Sequence, residues 1–207
     1  ANAIKYVGGI PIFIDSEFES WNMCPLSLEI AFKTYKPRAV IITDLYGQSA
    51  NYSRLEYICK KNNTPIIEDA AESLGAVYKN KKCGTFGDIS ILSFNGNKII
   101  TTSGGGMILS KNELYIEHAH KLSTQSRERT NYYEHKEIGY NYRMSNVLAG
   151  IGLAQLSYID YHLRRKKEIF NKYKADFNNF KNIEFMPIMK SGKPSHWLSV
   201  VLLKEFS

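Results

Sequence analysis

The chain has 207 residues, enough to bury a sizeable core, and carries a net charge of +7 from 27 Lys and Arg against 20 Asp and Glu. The cations are scattered and no basic stripe alternates with aromatics; the densest cluster, Arg164-Arg165-Lys166-Lys167, falls in a helical pattern as a solvated face, which argues against nucleic acid as a partner. No apolar run reaches transmembrane length, and Cys24, Cys59 and Cys83 are odd in number and widely spaced, which argues against a disulfide framework and a zinc site, so a reducing, cytoplasmic setting is expected.

Apolar runs alternate with helix-period segments over the first two-thirds, the pattern of βαβ units and a mainly parallel sheet. Ala1 to Gly9 reads as the end of an amphipathic helix. Pro11 to Asp15 predicts a strand ending in a carboxylate, and Leu26 to Tyr35 a helix. Ala39 to Thr43 is a short strand closed by Asp44-Leu45-Tyr46-Gly47; Tyr52 to Asn62 is a helix, and Pro65 to Glu68 the next strand. Gly84 to Phe94 and Gly106 to Leu109 read as neighbouring strands joined by a glycine-bearing loop. Ser145 to Phe177 predicts one long helix bridging a larger domain to a smaller one, and Trp197 to Leu203 a strand.

The chemistry concentrates in two places. Ser93-Phe94-Asn95-Gly96-Asn97-Lys98 sets a lysine at the end of a polar turn, before Thr101-Thr102-Ser103-Gly104-Gly105-Gly106. Upstream, Ile66-Ile67-Glu68-Asp69 ends an apolar run in a carboxylate, where an open α/β sheet places ligand-facing groups. Lysine plus strand-end aspartate is what a pyridoxal phosphate (PLP) site requires: the amine carries the cofactor as a Schiff base, and the carboxylate keeps the pyridine nitrogen protonated. Asp69 also suits a helix N-cap, and Lys98 a surface turn. The triple glycine lacks the G-x-G-x-x-G spacing of a nucleotide loop and instead permits close backbone approach. The five histidines show no metal-ligand pairing, since His118-x-His120 on a helix points to different faces.

Glu68 to Gly75, Gly84-Thr85-Phe86-Gly87-Asp88 and Ser93 to Gly106 together resemble the DegT/DnrJ/StrS family of PLP-dependent sugar aminotransferases, and the resemblance covers nearly the whole chain. The stretch Asn95 to Gly106, Ser123 to Glu128, and Tyr133-Glu134-His135 running into Gly139 to Arg143 are similar, within that family, to the bacterial enzymes that aminate UDP-4-keto-6-deoxy-N-acetylglucosamine in the bacillosamine and legionaminic acid pathways. The resemblance implies a type I (aspartate-aminotransferase-like) α/β fold, incomplete at both ends, with residues 1–157 in the large PLP-binding domain and 158–207 in the small one. It also implies that the chain is an internal piece of a longer protein, because the family's N-terminal phosphate loop does not precede Ala1.

By the same resemblance Lys98 is the Schiff-base lysine and Asp69 the pyridinium partner, with Ala71 beneath the ring, Glu72 near the phenolic oxygen and Ser93 on the phosphate. Asn141 matches an asparagine that reaches the phosphate of the adjacent subunit, so the sites would be shared across a homodimer. His135, Tyr140, His196 and Trp197 are the candidate substrate contacts. The implied substrates are a UDP-linked 4-keto sugar and L-glutamate. Two alternatives stand beside this: a PLP-type sugar dehydratase, against which Lys98 speaks because histidine replaces the lysine there, and a non-catalytic protein or inactive fragment on the same scaffold.

Overall fold

The computed structural model describes residues 1–204. A short helix α1 (Asn2–Tyr6) opens it. Pro11 to Asp15 then runs without regular structure, contrary to the strand expected there. The apolar run Ile12-Phe13-Ile14 is present, but among the described residues no strand pairs with it. Helix α2 (Pro25–Thr34) begins on a proline, whose missing N–H is harmless in the first turn.

Strand β1 (Val40–Thr43), helix α3 (Tyr52–Lys61) and strand β2 (Ile66–Asp69) follow as predicted. A hairpin of β3 (Val77–Tyr78) and β4 (Lys81–Lys82) leads into β5 (Ile89–Ser93), which β6 (Gly106–Leu109) answers antiparallel across the lysine loop. The sheet order is β1-β2-β5-β6, with the first three parallel. Its core joins Val40, Ile42 and Ile66 to Leu28, Leu55 and Ile58 of the covering helices. Tyr52 stacks on Phe86 at 4.1 Å between ring centroids and helps close this core.

Helix α4 (Glu113–Ser123) is capped by Asn112, which accepts from Leu114 N. The single helix expected from Ser145 to Phe177 is two: α5 (Asn146–Leu156) and α6 (Ile159–Asp176). The break falls at Ser157-Tyr158, where the serine hydroxyl donates back to the Ala154 carbonyl and Tyr158 leaves the helical region. Strands β7 (Ile183–Phe185) and β9 (Val201–Leu203) pair antiparallel, so the strand expected from Trp197 starts four residues later. Between them β8 (Gly192–Lys193) crosses back to pair with β3. Gln48 secures that return by giving Nε2 to the Pro187 carbonyl at 2.9 Å and accepting Met189 N at 3.0 Å. Among the described residues, no helix is long and apolar enough to cross a membrane.

Two carboxylates lie inside this framework. Glu68 is fully buried and accepts from Gly84 N (2.5 Å), Phe86 N (2.7 Å), Gly87 N (3.2 Å) and the Ser90 hydroxyl (2.7 Å). Asp44, also fully buried, accepts from Ala50 N (2.8 Å), the Tyr52 hydroxyl (2.9 Å) and the Ser73 hydroxyl (2.9 Å). Burial, reinforced by the nearby charge of Glu68, pushes the Asp44 carboxyl up to about 7. The same surroundings push the Cys83 thiol well above its usual range.

Because folding raises the Asp44 pKa above its unfolded value near 4, the folded chain holds this proton more tightly than the unfolded one. Its contribution to stability is therefore full below about pH 4 and is lost as pH rises through about 7. Urea unfolding at pH 5 and pH 8 should show wild-type protein weaker at pH 8, and Asp44→Asn should flatten much of that difference; an unchanged slope would place Asp44 outside the linkage.

Candidate active site

Parallel neighbours deliver their following loops to one edge, so the residues after β2 and β5 meet at the C-terminal edge of the sheet. Asp69 closes β2 and Ser93 closes β5. Antiparallel β6 then pairs Gly106 with Ser93, which fixes both ends of the loop that carries Lys98. A Cβ on Gly106 would stand 2.6 Å from the Leu92 carbonyl oxygen, so only glycine permits that approach. Inside the loop, Phe94 N donates to Gly105 O and Thr102 N to Phe94 O. Gln155 of α5 clasps Thr101 through both its backbone groups, at 3.0 and 2.8 Å.

So held, the Lys98 side chain is only 13% exposed. Its Nζ lies 3.9 Å from Glu72 Oε1 and 4.1 Å from the centroid of the Trp197 ring. The other carboxylate oxygen of Glu72 accepts Tyr46 N at 2.7 Å. Tyr46 sits in the turn after β1 with φ 57°, a costly conformation for a bulky residue. The buried Asn22 steadies that turn, accepting Leu45 N at 2.7 Å and donating to the carbonyls of Gln48 and Ser49. Trp197 in turn gives its indole N–H to the Asn97 carbonyl at 2.7 Å, and its own carbonyl accepts Lys166 Nζ at 3.1 Å.

Asp69 is half-buried, with Oδ1 accepting Ala71 N at 3.2 Å and Oδ2 accepting the Thr43 hydroxyl at 3.4 Å. Both contacts are long, which leaves the carboxylate able to take a stronger donor. It caps no helix, because β2 runs into a turn over residues 71–75. Ala70 is buried and Ala71 half-buried on that turn, and Ser93 Oγ accepts Asn95 N at 3.4 Å. A mostly buried amine, a weakly engaged carboxylate at a strand end, small side chains directly after that carboxylate and a hydroxyl on the next strand form a donor set that fits PLP.

Asn141 is exposed and bridges Thr124, within a hairpin-like segment in which Gln125 N donates to Tyr140 O and Tyr142 N to Ser123 O. Tyr140 stacks on Tyr142 at 5.0 Å, and the exposed His135 places Nδ1 at 2.8 Å from the Gln125 carbonyl. Among the described residues no hydrogen bond links this segment to Lys98, Glu72 or Asp69. His196 is buried with its ring on Phe170 at 4.4 Å, beside a cavity of about 340 Å³ that Tyr173, Phe177 and Phe185 also line. Burial, then the charge of Lys167, lowers its pKa. Sequence reasoning missed Tyr46, Asn22 and Gln155. The first had a signal, for Asp44-Leu45-Tyr46-Gly47 follows a strand parallel to the one that ends in Asp69.

A model of the DegT/DnrJ/EryC1/StrS aminotransferase family matches residues 1–207. The chain belongs to that family. EpsN of Bacillus subtilis (strain 168), considered a pyridoxal phosphate-dependent aminotransferase, is 49% identical over 98% of this chain and 54% of its own length. The GDP-perosamine synthase of Escherichia coli O157:H7 is 42% identical over 98% of the chain and 55% of the enzyme. A UDP-4-amino-4,6-dideoxy-N-acetyl-beta-L-altrosamine transaminase of Campylobacter jejuni (strain NCTC 11168) is 35% identical over 100% and 56%. Among solved structures, Helicobacter pylori PseC, an aminotransferase of pseudaminic acid biosynthesis, superposes with a TM-score of 0.90 at 25% identity, covering 99% of this chain and 55% of PseC. The fold is thus that of the type I PLP-dependent sugar aminotransferases. The chain spans about half the length of the curated relatives it matches.

Gly47 shows how closely the segments of this site approach. It has φ 94°, and a Cβ there would stand 2.5 Å from Ser195 Oγ and 2.8 Å from Trp197 N. Gly47→Ala should therefore lower stability by about 2 kcal/mol, read as a shift in the urea midpoint, from backbone strain and collision together. An unaltered midpoint would mean that the turn and the 195–197 segment are not in contact.

Proposed function

We propose that the protein carrying this chain is a PLP-dependent aminotransferase that moves an amino group from L-glutamate to the C4 keto group of a UDP-linked 4-keto-6-deoxy hexose derived from N-acetylglucosamine. The observation that carries this reading is the Lys98 amine, sheltered between Glu72 and Trp197 at the sheet edge that also bears Asp69. Lys98 would hold the cofactor covalently through Nζ, Asp69 would face the pyridine nitrogen, Ala71 would lie under the ring, Glu72 near its phenolic oxygen, and Ser93 would bond the phosphate. When bound, PLP supplies an electron sink for the charge left on a substrate carbon.

The work of the chain is positional and protonic. Asp69 would hold a positive charge opposite its carboxylate. The Lys98 amine, once free, would take the proton from the donor Cα and hold it for return, while Glu72, anchored by Tyr46 N, would limit where the amine can swing. The same reading makes the protein a cytoplasmic homodimer in which Asn141 reaches the partner's phosphate, and divides the chain at residues 157/158. Apolar side chains left open on α5, with Val147 74% and Leu153 72% exposed, support a partner surface there, as do exposed Tyr132, Tyr133 and Tyr142. A GDP-linked 4-keto sugar is the second reading, favoured by the 42% identity to a GDP-perosamine synthase.

Full-length protein incubated with PLP, glutamate and either a UDP- or a GDP-linked 4-keto-6-deoxy sugar should release 2-oxoglutarate with the UDP sugar; turnover with the GDP sugar alone selects the second reading. Lys98→Ala should lose both the visible absorption of lysine-bound PLP and turnover. Asp69→Asn should keep the absorption and lose at least about tenfold in rate. Wild-type turnover in Lys98→Ala would refute the assignment.

The shared site has its own test. Lys98→Ala and Asn141→Asp, each inactive, should complement when subunits are exchanged, because one hybrid site carries both defects and the other neither, restoring up to about half of wild-type activity under two-fold symmetry. Hybrids confirmed by differential tags yet still inactive would assign Asn141 a structural role within its own subunit.

A further inference from the structure

We propose that Trp197 is a positioning residue for Lys98, and that its ring and Glu72 together form the seat to which the lysine amine returns whenever it is not bound to cofactor. The first half stands on the structure alone; the second rests on the aminotransferase reading above.

Trp197 lies 100 residues from Asn97, yet it reaches the lysine loop through two unlike contacts. Its indole N–H holds the Asn97 carbonyl, fixing the backbone immediately before the lysine, while the face of its ring receives the ammonium at 4.1 Å. Glu72 meets the same ammonium at 3.9 Å. Phe94, Ile99 and Ile100 of the loop pack against Trp197 in one buried cluster with Leu163 of α6. The tryptophan is itself pinned: its carbonyl accepts Lys166 Nζ, and the preceding Ser195 N donates to Gly47 O at 2.8 Å. A leucine would fill the cluster but could neither bond Asn97 nor attract a cation. Trp197 also borders the cavity beside His196, but with only 5% of the residue exposed its contacts to the lysine loop outweigh that edge.

The consequence is mechanical. A freed amine on a flexible stem samples many positions, and a site that returns it to one place shortens its path to the next proton transfer. The test uses full-length Trp197→Phe, which keeps a ring but loses the N–H donor, and Trp197→Leu, which loses both. In cofactor-free protein, acylation of Lys98 by an amine-directed reagent, followed by peptide mass spectrometry against exposed lysines as internal standards, should run about tenfold faster in Trp197→Leu and by a smaller factor in Trp197→Phe. With PLP and substrates, both variants should retain the visible absorption of lysine-bound cofactor, and kcat should fall, about tenfold in Trp197→Leu, with KM for the sugar unchanged.

Unchanged Lys98 labelling in both variants would overturn the positioning role. A raised sugar KM with kcat intact would overturn the seat and make Trp197 a substrate contact. Should Trp197→Leu fail to fold, Trp197→Phe carries each comparison. If wild-type protein takes up no PLP, the aminotransferase reading fails and the seat with it, while the labelling of cofactor-free protein still decides the positioning claim.

Discussion

The site depends first on a carboxylate that takes no part in its chemistry. Glu68 lies one residue before Asp69, on the opposite face of β2, fully buried, and its two oxygens gather three backbone amides and a hydroxyl from residues 84–90. Among the described residues no cation pairs with it; converging amide dipoles compensate its charge. Removing it would leave several buried donors without partners, each costing about 1–3 kcal/mol. What it secures is register: with the 84–87 turn tied to β2, β5 enters with Ile67 opposite Ile89 and Asp69 opposite Ile91. Two residues further, Ser93 and the lysine loop begin.

Around that frame the site is assembled from four separated segments, the turns after β1 and β2, the loop after β5, and residues 195–197. Each junction is a specific polar contact: Asp44 to Ser73, Tyr46 N to Glu72, Ser195 N to Gly47, and the Trp197 indole to Asn97. Left-handed backbone at Tyr46 and His196, flanking the Glu72 and Trp197 contacts, marks where the surrounding structure overrides local preference. The Lys98 amine therefore occupies a place set by distant parts of the chain, as precise chemistry requires.

Much of this was legible from residue order. Short apolar runs alternating with helical periods gave the parallel sheet, and carboxylates or polar turns at their ends gave its functional edge, because strand length and burial write a strong local pattern. The pairing of β5 with β6 followed from two apolar runs separated by a glycine-rich loop. What local pattern could not supply was partnership. Pro11 to Asp15 is apolar like a strand but, among the described residues, no strand pairs with it, and the helical period from Ser145 continues through the break at Ser157 because the apolar spacing resumes almost in phase. Nothing near Trp197 in sequence reveals that its ring meets a lysine 99 positions earlier. Glu68 was read as part of a motif; the cluster of amides in Gly84-Thr85-Phe86-Gly87 that it binds becomes visible only in three dimensions.

The central claim is that Lys98, so placed, is the residue that binds PLP. Full-length protein loaded with PLP, reduced with borohydride and digested should yield the phosphopyridoxyl group on the peptide containing Lys98 and on no other. Recovery of the label on a different lysine, or its absence from every peptide after saturating PLP, would contradict the account.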